Sequence, residues 1–147
     1  MKANKAYRFR IYPDTEQQIL LRRIFGCVRF VYNQLLQEKN EYYEKNGKLL
    51  RNTPAHLKAK YEWLKEADSS ALQQSLRHLD NAYQNFFKKR SGYPKFKKKR
   101  SEQSYRTMNN KGSIRIEGDH IKLPKAGRVK IVNTRSSVMI SSPFAER

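Results

Sequence analysis

The sequence predicts an α+β protein in which a set of helices lies between one early strand and a group of later ones. Three observations carry this. Residues 5–12 (KAYRFRIY) alternate apolar and basic side chains, residues from about 14 to 89 repeat apolar side chains every three or four positions, and beyond about residue 103 the period returns to two. The 147 residues are 37% hydrophobic, which supplies one modest core, as a single domain or as two small lobes sharing it.

In the first strand Tyr7, Phe9 and Ile11 take one face, while Arg8 and Arg10 take the other, where they can meet phosphates or water. Pro13 ends the strand. Asp14 then caps a helix, with Gln17 as the reciprocal partner of a capping box. Leu20, Ile24, Cys27/Val28, Val31 and Leu35 form an apolar stripe, and Gly26 within it costs about 1 kcal/mol against alanine. Gly26 therefore reads as a bend or a helix–helix junction, so the stretch to about Glu44 is two helices or one kinked helix. Asn46 and Gly47 stop it. Thr53-Pro54 reads as N-cap and first helical residue of a short helix with Leu57, Tyr61 and Leu64 on its stripe and Trp63 beside it.

Asp68 or Ser69 caps a further helix running to about Lys89, with Leu72, Leu76, Leu79, Tyr83 and Phe86 inward and Gln73, Arg77, Asp80/Asn81, Gln84 and Lys88 on a polar stripe. Gln73 and Arg77 are either solvent-facing or, being capable of bidentate hydrogen bonds, readers of base edges. Four short strands follow, at Ser104–Met108, Ser113–Glu117, His120–Leu123 and Arg128–Val132, with a hairpin turn at Glu117–His120 and a second turn marked by Pro124 and Gly127. The lone first strand needs a ladder partner, so it is expected to join these strands in a small barrel or sheet.

Charge is the strongest functional signal. Lys and Arg number 32 against 13 Asp and Glu, a formal net charge of +19 with a mean hydropathy of −0.95. The excess is clustered. Residues 88–100 (KKRSGYPKFKKKR) hold Lys88, Lys89, Arg90, Lys95, Lys97, Lys98, Lys99 and Arg100 and no acid. Clustered cations point to a groove that follows a phosphate backbone; the alternative is a solvated tail or localisation-like run, against which the interleaved Tyr93 and Phe96 argue, because they can stack on bases or pin the run to a core. No apolar run approaches the ~20 residues of a membrane span, and the N-terminus lacks the apolar segment of a signal peptide. One cysteine, Cys27, on the apolar stripe reads as a buried small hydrophobe and excludes a disulfide framework or multi-cysteine zinc site. The expected compartment is the cytoplasm, with no membrane partner.

Catalytic constellations are absent from the pattern. His56, His78 and His120 have no metal-ligand spacing, there is no phosphate-binding glycine loop or nucleophile elbow, and the late acids Glu117 and Asp119 flank a tight turn. No nuclease centre, metal or cofactor is expected.

The segments KAYRFRIYP, EQQ..L....FG..RFVYN..L, YEWLKEADSSALQQSLRHLDNAYQNFFK, GYPKFKKKRSEQSYR and IKLPKAGRVKI resemble, in order and across roughly residues 5–131, the N-terminal half of the TnpB (OrfB) proteins of bacterial insertion sequences. Together these blocks are specific, though each alone is weak. The first is often labelled a helix-turn-helix domain. The resemblance implies RNA-guided DNA endonucleases related to compact type V CRISPR effectors. It implies a helical recognition bundle inserted after the first strand of a wedge β-barrel, here incomplete. The implied organisation is a first wedge strand at 1–13, a helical recognition insertion at 14–92, a basic bridge with wedge strands at 93–132 and a divergent tail at 133–147. Its implied partners are a guide RNA from the transposon end and duplex DNA carrying a short adjacent motif, with base pairing supplying most specificity. A full-length relative acting in trans is a further implied partner.

By matching position, Ser69, Ser70 and Gln73 are implied to face the adjacent-motif duplex, with Arg77 on the same stripe, and Asn110 to lie beside it. Lys95, Lys97, Lys98, Lys99 and Arg100 match a basic bridge meeting nucleic-acid backbone, which Lys88, Lys89, Arg8 and Arg10 are read as extending. Tyr7, Phe9, Phe30, Tyr32 and Asn33 match structural positions, and Arg29 a backbone contact. The family's RuvC-like nuclease domain and zinc ribbon do not follow Val132, and the text NTRSSVMISSPFAER leaves the pattern. This is expected of a truncated or frameshifted copy or an N-terminal fragment, with an open sheet edge as a consequence. The expected function is nucleic-acid binding without cleavage; the alternatives are a stand-alone helix-turn-helix repressor acting without RNA, or a decayed transposon product.

Overall fold

A computed structural model describes residues 6–100, 103–109 and 111–132, together with strand residues 140 and 141. The chain is an α+β structure with the elements β1 (Phe9–Tyr12), α1 (Thr15–Asn46), α2 (Ala55–Lys60), a 3-10 turn (Glu62–Glu66), α3 (Ser69–Phe87), β2 (Arg115–Glu117), β3 (His120–Leu123), β4 (Gly127–Val132) and β5 (Ile140–Ser141).

Local chemistry sets the helix ends. The Asp14 carboxylate accepts from the Gln17 backbone N–H at 2.8 Å while Gln17 Oε1 accepts from the Asp14 N–H at 3.0 Å, so the expected capping box is formed. Gly47 ends α1 in the left-handed region at φ 67°, a conformation that favours glycine. Asp68 caps α3, accepting from the Ala71 N–H at 3.1 Å.

One expectation fails at Gly26. The helix runs unbroken through it for 32 residues, so the two-helix alternative is corrected. A Cβ at Gly26 would meet only the Arg29 guanidinium, at 3.9 Å, and therefore no close helix crossing requires glycine there. A second correction concerns the short helix. It begins at Ala55 with Pro54 as its cap position and no side-chain cap bond, and it gives way at an extended Tyr61 (φ −121°, ψ 96°) to the 3-10 turn. Leu57 and Leu64 nonetheless share the buried side.

The sheet order is β2-β3-β4-β1-β5. Strand β1 pairs antiparallel with β4, Ile11 opposite Ile131, and parallel with β5. The expected partnership of the first strand with the late strands thus holds, and the helices lie in sequence between β1 and β2. Among the described residues the sheet is open, with β2 and β5 at its edges. Residues 104–108 are not a strand. They form an extended strap without a ladder, and their bonds go to helix α3 instead, as shown below.

Phe9 and Ile11, then Ile121, Leu123, Val129 and Ile131, alternate inward from the sheet and join Ile24, Val28, Val31, Leu35, Leu72 and Leu79 in one core. Cys27 belongs to it, 1% exposed, with its thiol directed at the Trp63 carbonyl at 3.6 Å. Burial, and then the nearby Glu66 carboxylate, push its pKa up to about 11. The native protein at pH 8 is therefore expected to leave Cys27 unreacted with a thiol-specific chromogenic disulfide, and to release one equivalent once denatured. Rapid native labelling would contradict the burial.

Candidate nucleic-acid interface

The basic run after α3 is held in place by a polar clamp. Asn33, on α1, donates through Nδ2 to the Lys97 carbonyl at 2.9 Å and accepts at Oδ1 from the Lys97 N–H at 2.8 Å. The Lys97 ammonium lies 4.5 Å from the centre of the Tyr32 ring, and burial lowers its pKa. Tyr93 pins the start of the run, with its ring edge-on to Tyr83 and Phe86 and its hydroxyl on Asn40 Oδ1. Pro94 is buried beside it.

Of the run's cations Lys97 is half-buried, while Lys88, Lys89, Arg90, Lys95, Lys98, Lys99 and Arg100 are exposed. The two aromatics divide the roles that sequence left open. Tyr93 anchors, whereas Phe96 is 51% exposed. Lys88 and Lys89 also sit at the C-terminus of α3, where cations favour the helix dipole.

A second group lies on the first turns of α3. Ser69, Gln73 and Arg77 follow at i, i+4 and i+8 on one helical face, with Ser70 beside them. Gln73 and Arg77 are exposed. The Ser69 hydroxyl accepts from Lys58 Nζ at 2.8 Å, and the Ser70 hydroxyl accepts from the Met108 N–H at 2.9 Å. Thr107 donates its hydroxyl to the Asp68 carboxylate that caps the same helix. Bonds to Asp68 and Ser70 thus fasten the 103–109 strap to the start of α3. Asn110, next along the strap, lies outside the described residues. Arg10, on the outer face of β1, and Arg8, just before the strand, are exposed.

The strap, the run and the two long helices meet around Phe25, which stacks edge-on with Tyr105 at 5.6 Å. A cavity of about 470 Å³ opens there, lined by His78, Tyr105, Arg106, Thr107, Ile114 and Leu123 among others. A narrow cleft beside it is walled by Arg29, Lys97 and Lys98. Cations from three segments thus converge, and His78 registers them. Its pKa is lowered by burial first, then by the Lys97 and Arg106 charges. Tyr105 is pushed up to about 12 by burial and by Asp68.

The sign for His78 follows from linkage. A histidine neutral in the fold and ordinary when unfolded makes the unfolded chain the better proton acceptor, so stability should decline as pH falls below about 6.5. The His78 ring resonance is expected to titrate below that value in the folded chain, and an unshifted midpoint would refute it.

His56 pairs with Glu38 at 2.7 Å and His120 with Asp119 at 2.7 Å. Among the described residues no group of three His, Cys, Asp or Glu is placed to hold a metal ion. No helix among them is long and apolar enough to cross a membrane. The resemblance placed Asn33 at a structural position but not its clamp on Lys97, which spans 64 positions. Sequence reasoning missed the surroundings of His78 and also Arg106, which carried a signal as a cation within the strap.

Residues 1–48 match a family model described as a helix-turn-helix domain, of the OrfB type. Over the described part of that match the chain forms strand β1 and the continuous helix α1. The chain is 34% identical to InsQ of Escherichia coli (strain K12), named a putative RNA-guided DNA endonuclease, over 92% of this chain and 35% of that protein. A Streptomyces pristinaespiralis protein of the same name is 38% identical over 70% of this chain and 27% of its own length. Virulence protein VsdF of Salmonella dublin is 39% identical, over 65% of this chain and 93% of VsdF. The chain thus spans about a third of the length of the two endonuclease-named relatives.

Proposed function

The chain belongs to the TnpB/OrfB family of insertion-sequence proteins, and from that premise we propose that it is the nucleic-acid-gripping portion of an RNA-guided endonuclease architecture, binding guide RNA and duplex DNA rather than cutting them. In this reading the sheet is the wedge lobe, incomplete as a barrel, and α1 to α3 are the recognition insertion at 14–92. Residues 93–132 form the bridge and remaining wedge strands.

The observation that carries the reading is the acid-free run 88–100 held by its own backbone. Asn33 fixes the Lys97 peptide and Lys97 turns inward, which leaves Lys95, Lys98, Lys99 and Arg100 displayed on a positioned segment. A tail would lose more entropy on binding; a docked run has already lost it. Arg29, Arg8 and Arg10 extend the backbone contacts, with Lys88 and Lys89 at the run's start. Ser69, Ser70, Gln73 and Arg77 are assigned to the adjacent-motif duplex, and the resemblance adds Asn110 beside it.

Affinity purification from a bacterial host, followed by sequencing of bound RNA, tests this against a repressor that works without RNA. A defined RNA species retained at low salt is expected. Duplex binding with no enriched RNA would favour the repressor, and no binding to either polymer would end the proposal.

A further inference from the structure

Helix α1 carries a second feature facing the 3-10 turn, which shares Arg29 with the nucleic-acid contacts proposed above and borders the Asn33 clamp. Phe30 packs edge-on against Trp63 with ring centres 4.7 Å apart and against Tyr61 at 4.9 Å, and Tyr61 and Trp63 lie 6.0 Å apart. Three rings so arranged would ordinarily be buried, yet Trp63 is 45% exposed. An open hollow of about 600 Å³ lies against it, floored by Gly26 and Cys27 on α1 and flanked by Arg23 and Arg29. That volume falls in the range of small-molecule sites.

The position of Trp63 is set rather than loose. The Cys27 thiol meets its carbonyl, and Leu64, next in the chain, is fully buried. The charge at the rim is mainly positive. Arg23 bridges Glu66 at 3.8 Å, the one acid among the hollow's described lining residues, and the Arg29 guanidinium lies over Gly26. Lys60 lies 5.4 Å from the centre of the Tyr61 ring, at the edge of the cluster. A rigid exposed indole beside cations, on a chain of net charge +19, suits a flat π-face attached to a phosphate.

We propose that the Trp63–Phe30 cluster is a stacking platform for one unpaired nucleobase of a single-stranded polynucleotide, with Arg29 beside it to meet the adjoining phosphate. This rests on the nucleic-acid reading above but names a site that reading does not contain. A base in a duplex already has neighbours on both faces, so a paired strand does not satisfy the platform.

Trp63 is the chain's single tryptophan, and its emission therefore reports on this site alone. The full chain is titrated at low salt with ten-residue oligoadenylate, its deoxy counterpart, a duplex of equal length and inorganic polyphosphate, following binding by anisotropy or competition and the indole by fluorescence. The expected result is binding by all four, with quenching by the single strands and not by duplex or polyphosphate. Quenching by the ribo oligomer alone assigns the base to RNA; quenching by both single strands admits either polymer.

Trp63→Ala should weaken single-strand binding roughly 5- to 150-fold and spare duplex binding, while Trp63→Phe restores most of the affinity. Thermal melting checks the fold of each variant, and should Trp63→Ala unfold, the quenching contrast in the unmodified chain decides the matter. Binding without quenching, or equal quenching by polyphosphate, overturns the platform and leaves the nucleic-acid reading standing. Absence of binding to any probe overturns both.

Discussion

Replacing Lys95, Lys99 and Arg100 together with glutamine is expected to flatten the salt dependence of duplex binding by about 2.7 in the slope of log K against log salt, at roughly 0.9 per phosphate contact removed. Across 50 to 200 mM salt the triple variant would then lose roughly 40-fold less affinity than the unmodified chain, whose own loss for six to ten contacts is about 10³–10⁵. The substitution isolates charge because all three side chains are exposed and the backbone beneath them is held from Asn33, so the melting temperature should hardly move. Fluorescence anisotropy with a labelled duplex measures both slopes. Parallel slopes would mean that the run does not meet phosphates, however basic it is.

The second expectation separates reading from gripping. Gln73→Ala should reduce discrimination between the preferred motif and a scrambled duplex by about 1–3 kcal/mol, the worth of one bidentate base contact, while leaving affinity for the scrambled duplex nearly intact. Arg77→Ala, four residues along the same exposed face, removes a charge and should weaken binding to both duplexes. A randomised duplex library supplies the preferred motif and the measure of preference. Uniform loss from Gln73→Ala would assign that side chain to solvent or backbone. Ser69 and Ser70 act differently from Gln73. Their oxygens already accept from Lys58 and Met108, so they hold the helix start in position, and each retains its hydroxyl proton and one lone pair to offer.

What sequence revealed and what it concealed divide by the range of the interaction. The alternation of Phe9 and Ile11 with Arg8 and Arg10, the Asp14–Gln17 box, the stop at Gly47 and the Asp68 cap are all local, and all are present. Gly26 misled because its intrinsic penalty of about 1 kcal/mol is overridden by the packing of Ile24, Cys27, Val28 and Val31 on either side of it. Residues 104–108 alternate like a strand, yet Asp68 and Ser70, nearly 40 positions away, hold them instead, through the Thr107 hydroxyl and the Met108 N–H. The candidate site shows the same division. The density of lysine in 88–100 was plain, but that Tyr93 anchors, that Lys97 lies against Tyr32 and that His78 faces Lys97 and Arg106 depends on contacts between distant parts of the chain.

Strand β1 has a consequence for biosynthesis. It is made before every other described element, yet it lies inside the sheet, with Arg10 opposite Val132. On a ribosome that segment must wait, its ladder groups still hydrated, until more than a hundred further residues have emerged. Helices α1 and α3 can meanwhile close on one another through shorter separations. Assembly is therefore ordered, helices early and sheet late, and the high contact order of the β1–β4 pairing should set the slowest phase of refolding.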